Sequence, residues 1–137
     1  MEVRVNQNGR LGTVPSSKRF KAEIKPMDKA SEAILALKPV TFRYKEEIDP
    51  ERAPQFGLVA EDVEKVNPDL VMHDADGKVY TVRYDAVNAM LLNEFLKEHR
   101  KVEHMQKQIE ALAAGLQKVS AQLEATRSAP QTVLNNY

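Results

Sequence analysis

One apolar stripe near the C-terminus constrains this chain more than any other feature. Val102, Met105, Ile109, Leu112, Leu116, Val119 and Leu123 recur at alternating steps of three and four residues, with no proline between them. That spacing is a heptad, with Val102, Ile109, Leu116 and Leu123 at a and Met105, Leu112 and Val119 at d. Continued backwards, the register reaches Phe95 and Leu91 and is broken once, at Glu98. A helix this long cannot bury such a seam against a small domain of its own. It needs another helix, most simply a copy of itself. The mixture of β-branched residues and leucine at a and d does not separate a dimer from a trimer. Gln106, Gln108, Ala113, Ser120 and Gln122, which flank the seam, carry no charge, so partner choice is not written there.

The chain has 137 residues, 20 basic and 20 acidic, and a formal net charge of zero. That is room for one modest domain plus an appendage. The charges are mixed along the sequence, so no basic stripe points to nucleic acid. No apolar run approaches the roughly 20 residues that cross a bilayer, and Met1-Glu2-Val3-Arg4 does not open a signal peptide. Membrane insertion is therefore not expected. There is no cysteine, which removes disulfides and thiolate metal sites. His73, His99 and His104 form no ligand spacing and read as surface residues. No cofactor or metal is expected.

Ahead of the long helix the pattern is that of a small α+β domain. Val3-Arg4-Val5 and Leu11-Gly12-Thr13 flank Asn8-Gly9 and read as a hairpin, or as the last strand of a β structure upstream. An isolated hairpin is marginal in water, so residues 1–15 are expected to be the tail of an upstream module. Ala30, Ala33, Ile34 and Leu37 have α-helical spacing after Pro26-Met27-Asp28. Val40, Phe42 and Tyr44 alternate as a half-buried strand. Residues 46–54 read as a loop. Phe56-Gly57-Leu58-Val59 leads into a short helix with Val59, Val63 and Val66 on one face, stopped by Asn67-Pro68. Leu70–His73 and Val79–Tyr84 flank the turn Asp74-Ala75-Asp76-Gly77, which lacks the further ligands of a calcium loop. Phe56, Tyr80 and Tyr84 are expected in the core, because no basic residues interleave with them as in a single-strand binder. The long helix starts near Asp85, a plausible N-cap. The expected boundaries are 16–84 for the domain core, 85–127 for the helix and 128–137 for a flexible tail.

One constellation carries chemistry. Ser16-Ser17-Lys18-Arg19-Phe20-Lys21 sets a hydroxyl and a primary amine five positions apart, where an open segment meets the domain. Lysine can serve as the base for a serine when burial or nearby cations lower its pKa. Lys18 and Arg19 are placed to contribute. Taken alone, such a cluster is more often a solvated loop. No glycine-rich phosphate loop and no Gly-x-Ser-x-Gly elbow is present.

The order of motifs is more specific than any one of them. Ser-Ser-x-Arg-x-Lys is followed by Ala36-Leu37-Lys38-Pro39-Val40-Thr41-Phe42-Arg43-Tyr44. Next come Phe56-Gly57-Leu58-Val59-Ala60-Glu61-Asp62-Val63-Glu64 and Asn67-Pro68-Asp69-Leu70-Val71, then Tyr80-Thr81-Val82-Arg83-Tyr84 and the long helix. This resembles the peptidase S74 family over roughly residues 16–100. The family comprises C-terminal intramolecular chaperone domains of phage tail spikes and tail fibres such as endosialidases, of bacterial tail-fibre-like proteins, and of the myelin regulatory factor of animals. The lead-in, Asn8 to Thr13, also looks like the connection from a fibre body in bacterial members.

The resemblance implies a homotrimer that registers and folds an upstream β-rich fibre or spike of the same chain, then releases itself by autoproteolysis. It implies Ser16 as nucleophile, Lys21 as general base, and a cut between Pro15 and Ser16. Such a protein is made in the bacterial cytoplasm and ends on a phage virion tail or a bacterial surface. Two positions depart from the family pattern. Pro15 lies on the acyl side, where its ring crowds the carbonyl, and Ser17 stands where many self-cutting members have aspartate. Ser17, four residues from Lys21, is a rival nucleophile, and Arg19 is a candidate support. A trimerisation module that stays attached, a coiled-coil adaptor for another protein, and a hydrolase acting on other molecules are the alternative readings.

Overall fold

A computed structural model describes residues 3–5 and 11–130. It is a mixed α+β structure of short antiparallel strand pairs and one long C-terminal helix. The strands do not merge into one sheet. Each of three hairpin-like pairs stands alone, and the helices supply the surface that unites two of them.

β1 (Val3–Val5) pairs with β2 (Leu11–Thr13), with Val3 opposite Thr13 and Val5 opposite Leu11. The Asn8-Gly9 turn assigned to this hairpin lies outside the described residues. Leu11, Gly12 and Thr13 are all exposed.

The first helical segment departs from the expected α-helix. Asp28–Ala36 is a 3₁₀ helix of nine residues. Its repeat of three puts Ser31, Ile34 and Leu37 inward, while Ala30 and Leu35 face water. The buried residue at its centre is therefore a serine, fully enclosed at 0% exposure. Asp28 enters the helix at φ 46°, a left-handed conformation that aspartate tolerates better than most residues.

β3 (Val40–Phe42) pairs with β4 (Gln55–Gly57), Val40 opposite Gly57 and Phe42 opposite Gln55. Val40 and Phe42 are half-buried, as their alternation implies. Tyr44 lies beyond the strand and is exposed, its ring edge-on to Phe42 at 5.1 Å. The loop between the strands is closed by Arg43, which donates to the Arg52 carbonyl, and by the Ala53 N–H, which donates to Asp49 Oδ2 at 2.9 Å.

α1 (Ala60–Val66) begins one residue after Val59, so Val59 caps it from an extended conformation and stays exposed while Val63 is buried. Pro68–Leu70 is a single 3₁₀ turn capped by the Asn67 side chain, which accepts from the Asp69 N–H at 2.9 Å. β5 (Val71–His73) and β6 (Val79–Val82) form the third pair around the expected turn. Asp74 Oδ1 accepts from the Asp76 and Lys78 N–H groups, both at 2.9 Å, and Gly77 supplies φ +77°. Only glycine adopts that angle without strain.

α2 spans Tyr84–Ser128, 45 residues, about 68 Å at 1.5 Å per residue. Its N-cap is Arg83. Asp85 sits in the first turn instead, where a carboxylate still complements the helix dipole. Val63, Leu70, Val71, Val82 and Met90 form the core, with Ile34, Leu37, Leu58, Val79 and Val87 packed around it. A single core this small rarely supplies more than about 3–5 kcal/mol. From Glu98 to Ser128 every residue of α2 is exposed.

Phe56, Tyr80 and Tyr84 are not in the core. Phe56 is 81% and Tyr80 75% exposed, and Tyr84 is exposed as well. Strand alternation explains the first two. In β4, Gln55 and Gly57 turn inward and Phe56 outward; in β6, Val79 and Thr81 take the covered positions and leave Tyr80 in water.

Candidate functional site

Ser16 and Lys21 meet because a tight turn lies between them. Lys18–Phe20 is one turn of 3₁₀ helix, held by Phe20 N–H to the Ser17 carbonyl at 3.0 Å and Lys21 N–H to the Lys18 carbonyl at 3.1 Å. Ser17 and Lys21 are both extended on either side of it. The chain thus reverses over three residues, and the Lys21 side chain reaches back over the turn. Lys21 Nζ donates to Ser16 Oγ at 3.1 Å.

That contact separates the two serines. The amine is on Ser16, while Ser17 makes no side-chain capping bond and serves the turn through its carbonyl. The Arg19 guanidinium lies over the Phe20 ring, 4.6 Å from its centroid, in a cation–π arrangement. Pro15, Ser16, Ser17, Arg19 and Lys21 are all exposed in the single chain.

In this bond the Lys21 amine is the donor and the Ser16 hydroxyl the acceptor. For Lys21 to take a proton from Ser16 the direction must invert, with O–H donating to a neutral nitrogen. Both side chains are exposed to water, and in general water favours the charged form of an amine while its removal favours the neutral one. The pair is therefore in hydrogen-bond reach for general-base chemistry, in a setting that does not yet promote it.

The second feature is the seam. Val102, Met105, Ile109, Leu112, Leu116, Val119 and Leu123 are 43% to 73% exposed and line one side of a stretch of α2 in which every residue is exposed. Polar residues, alanines and Gly115 occupy the rest of its circumference. Among the described residues, no helix is long and apolar enough to cross a membrane, and no group of His, Asp and Glu could hold a metal ion. His73 pairs with Glu64 at 2.8 Å on the surface, and His99 stacks on Phe95.

A third cluster escaped the sequence reading. Under α2, Ser31 Oγ donates to Glu94 Oε1 at 2.5 Å and accepts from Asn93 Nδ2 at 2.7 Å. Asn93 also donates to the Asp28 carbonyl at 3.1 Å, and Lys97 Nζ reaches Glu94 Oε1 at 2.7 Å. The Glu94 side chain is 12% exposed. Its carboxyl is held below the ordinary value, first by the Lys97 ammonium and then by the Ser31 hydroxyl. The cluster fastens the 3₁₀ helix to α2. Its trace in the sequence is that Asn93, Glu94 and Lys97 are polar at the spacing where the domain-facing side of a helix is normally apolar.

Two clefts of the domain lie away from the Ser16–Lys21 pair. One, of about 490 Å³, runs between Leu37, Val40, Phe56, Tyr84 and Leu91. The other, of about 380 Å³, runs between Phe42, Tyr44, Leu58, Tyr80 and Tyr84.

In comparisons with known proteins, the model of the Peptidase_S74 family, described as chaperone of endosialidase, matches residues 16–72. No curated protein matches the chain. The matched segment begins at Ser16 and takes in the 3₁₀ turn, the strand pair β3–β4, α1 and the start of β5. Residues 16–72 of this chain are thus similar to a family described as chaperone of endosialidase.

Proposed function

We propose that this chain is an intramolecular chaperone that trimerises through α2, assists folding of a fibre or spike upstream in the same polypeptide, and cuts itself between Pro15 and Ser16. The observation that carries the reading is the seam of α2, an uninterrupted apolar heptad from Val102 to Leu123 left in water by the single chain. Each Leu or Ile buried there contributes about 2 kcal/mol, so association dwarfs what the small core supplies alone. The natural division is residues 1–15 as the end of the upstream part, 16–84 as the chaperone core, 85–127 as the coil and 128–137 as a tail. The partners are two further copies and the upstream part of the same chain, with no role for nucleic acid, membrane insertion, metal or cofactor. Synthesis in a bacterial cytoplasm and a final place on a phage tail or cell surface fit this role.

The contact at 3.1 Å between Lys21 Nζ and Ser16 Oγ supports the proposed cut. Neutral Lys21 takes the Ser16 hydroxyl proton as Oγ adds to the Pro15 carbonyl carbon. The tetrahedral adduct collapses with loss of the Ser16 nitrogen, which receives that proton and becomes a free amine. An ester joins the Pro15 acyl group to Ser16 Oγ. Water then adds to the ester with Lys21 as base, and the products are a Pro15 carboxylate and a released chain beginning at Ser16. In the single chain the amine stands in water. Packing three chains together desolvates it, so the nucleophile becomes competent only after assembly. The released fibre can no longer reverse through the chaperone, which makes its stability kinetic.

Intact mass of the purified chain, beside Ser16→Ala and Lys21→Ala, together with native mass, tests the whole reading. Loss of residues 1–15 in the parent alone, with a trimeric native mass, is the expected result. An intact trimer reduces the function to an assembly module that stays attached. A monomer of intact mass overturns it and leaves an adaptor that pairs with another protein.

A further inference from the structure

We infer that the apolar groove at the foot of α2 is the seat for Leu92 of a neighbouring copy, an inference that rests on the parallel trimer proposed above. The first turns of α2 present two faces. Ala86, Val87 and Met90 dock apolar surface on the domain, with Asn93, Glu94 and Lys97 fastened above them. Leu91, Leu92 and Phe95 point the other way and are exposed.

The heptad register, carried back from Val102, puts Phe95 at a, Leu91 at d, Leu92 at e and Val87 at g. In a parallel coiled coil each g residue faces the e residue of the following heptad on the next helix. A neighbour's Leu92 therefore stands opposite Val87. Val87 is not part of a free helix surface: it lines the groove of about 490 Å³ together with Val40, Phe56, Tyr84 and Leu91. Charged e and g residues usually set pairing in a coiled coil, but here both are apolar and one opens into an apolar groove of the domain. Leu91 belongs to the groove and to the seam register alike, so the two surfaces are continuous. Phe56, outward on β4, forms the outer wall. A leucine side chain entering there covers Phe56 and Tyr84, the aromatic surface that the single chain leaves wet. Glu98, the polar break in the register, divides this contact at the domain from the coil above it.

The seat gives the head domain a place in the assembly that the distal coil alone does not. It ties the groove of one chain to the helix of the next, at the level of the domain that carries the Ser16–Lys21 pair.

The chain has no cysteine, so introduced thiols report unambiguously. Three variants of the full chain are treated with dibromobimane, a short thiol cross-linker: Val87→Cys with Leu92→Cys, Phe56→Cys with Leu92→Cys, and Ile109→Cys alone. Phe56 is exposed, so the second pair remains informative if replacing half-buried Val87 disturbs folding. Both pairs are expected to join chains into a covalent trimer on denaturing gels, and Leu92→Cys alone to give none. Linkage through Ile109 with neither pair reacting between chains overturns the seat while leaving the trimer intact. Failure of all three, with a monomeric native mass, removes the trimer and the seat together. Ten-fold less trimer at low micromolar concentration in Leu92→Ser, with Ile109→Cys still linking in that background, is the further result the seat requires. An unchanged trimer fraction in Leu92→Ser overturns it.

Discussion

The backbone N–H of Leu58 donates to the Tyr84 hydroxyl at 2.9 Å. This bond joins the end of β4 to the first residue of α2, so the direction in which the long helix leaves the domain is fixed from β4. Gly57 lies directly beneath: a Cβ at that position stands 2.8 Å from the Tyr84 hydroxyl and 3.3 Å from Phe42. Tyr84→Phe is expected to cost about 1 kcal/mol, the worth of one hydrogen bond. Gly57→Ala must displace the tyrosine as well and is expected to cost about 1–3 kcal/mol. Chemical denaturation of both variants, at one protein concentration, measures the order.

Lys21→Arg separates proton transfer from charge. Arginine keeps a cation near Ser16 but stays protonated in proteins. The expected outcome is a full-length chain by intact mass, as for Lys21→Ala. Ser17→Ala is expected to be cut as the parent is, because the amine contacts Ser16 and not Ser17. Cutting lost in Ser17→Ala and retained in Ser16→Ala would transfer the nucleophile to Ser17.

Leu116→Glu places a charge at an a position in the middle of the seam. Burying an unpaired carboxylate opposes association more strongly than the leucine favoured it. Native mass is expected to shift to monomer, and the melting temperature to lose its dependence on protein concentration. The same substitution at Gln117, off the seam, is expected to change neither.

Acid weakens the attachment of the 3₁₀ helix to α2. The Glu94 carboxyl is lowered in the fold from its ordinary 4.5, chiefly by Lys97 and then by Ser31. A lowered carboxyl contributes stability that is complete above the unfolded value and disappears as pH falls through the folded one. The parent is thus expected to lose stability below about pH 4.5, and Glu94→Gln to lose less over the same range, read by thermal melts. Ser31→Ala removes the hydroxyl that three side chains share, and is expected to cost about 1–3 kcal/mol at neutral pH.

The sequence by itself determined the helix, its apolar stripe and the proximity of Ser16 to Lys21. Heptad spacing is a local property, and it placed α2 to within a residue of each end. The turn at Asp74–Gly77 was equally plain, because Asp and Gly impose that geometry wherever they stand. Ser16 and Lys21, five positions apart, require only one tight turn to meet, so that pair needed no long-range contact. Tertiary structure alone decided which face of each short element turns inward. Over strands of three or four residues, alternation has too few positions to fix its phase, so Phe56 and Tyr80 turned outward against their composition. Over Asp28–Ala36 the spacing of Ala30, Ala33, Ile34 and Leu37 fits an α-helix, yet the segment winds with a repeat of three and buries Ser31. The reason lies 62 and 63 residues along the chain, at Asn93 and Glu94, whose side chains bond a hydroxyl that no local pattern brings to them.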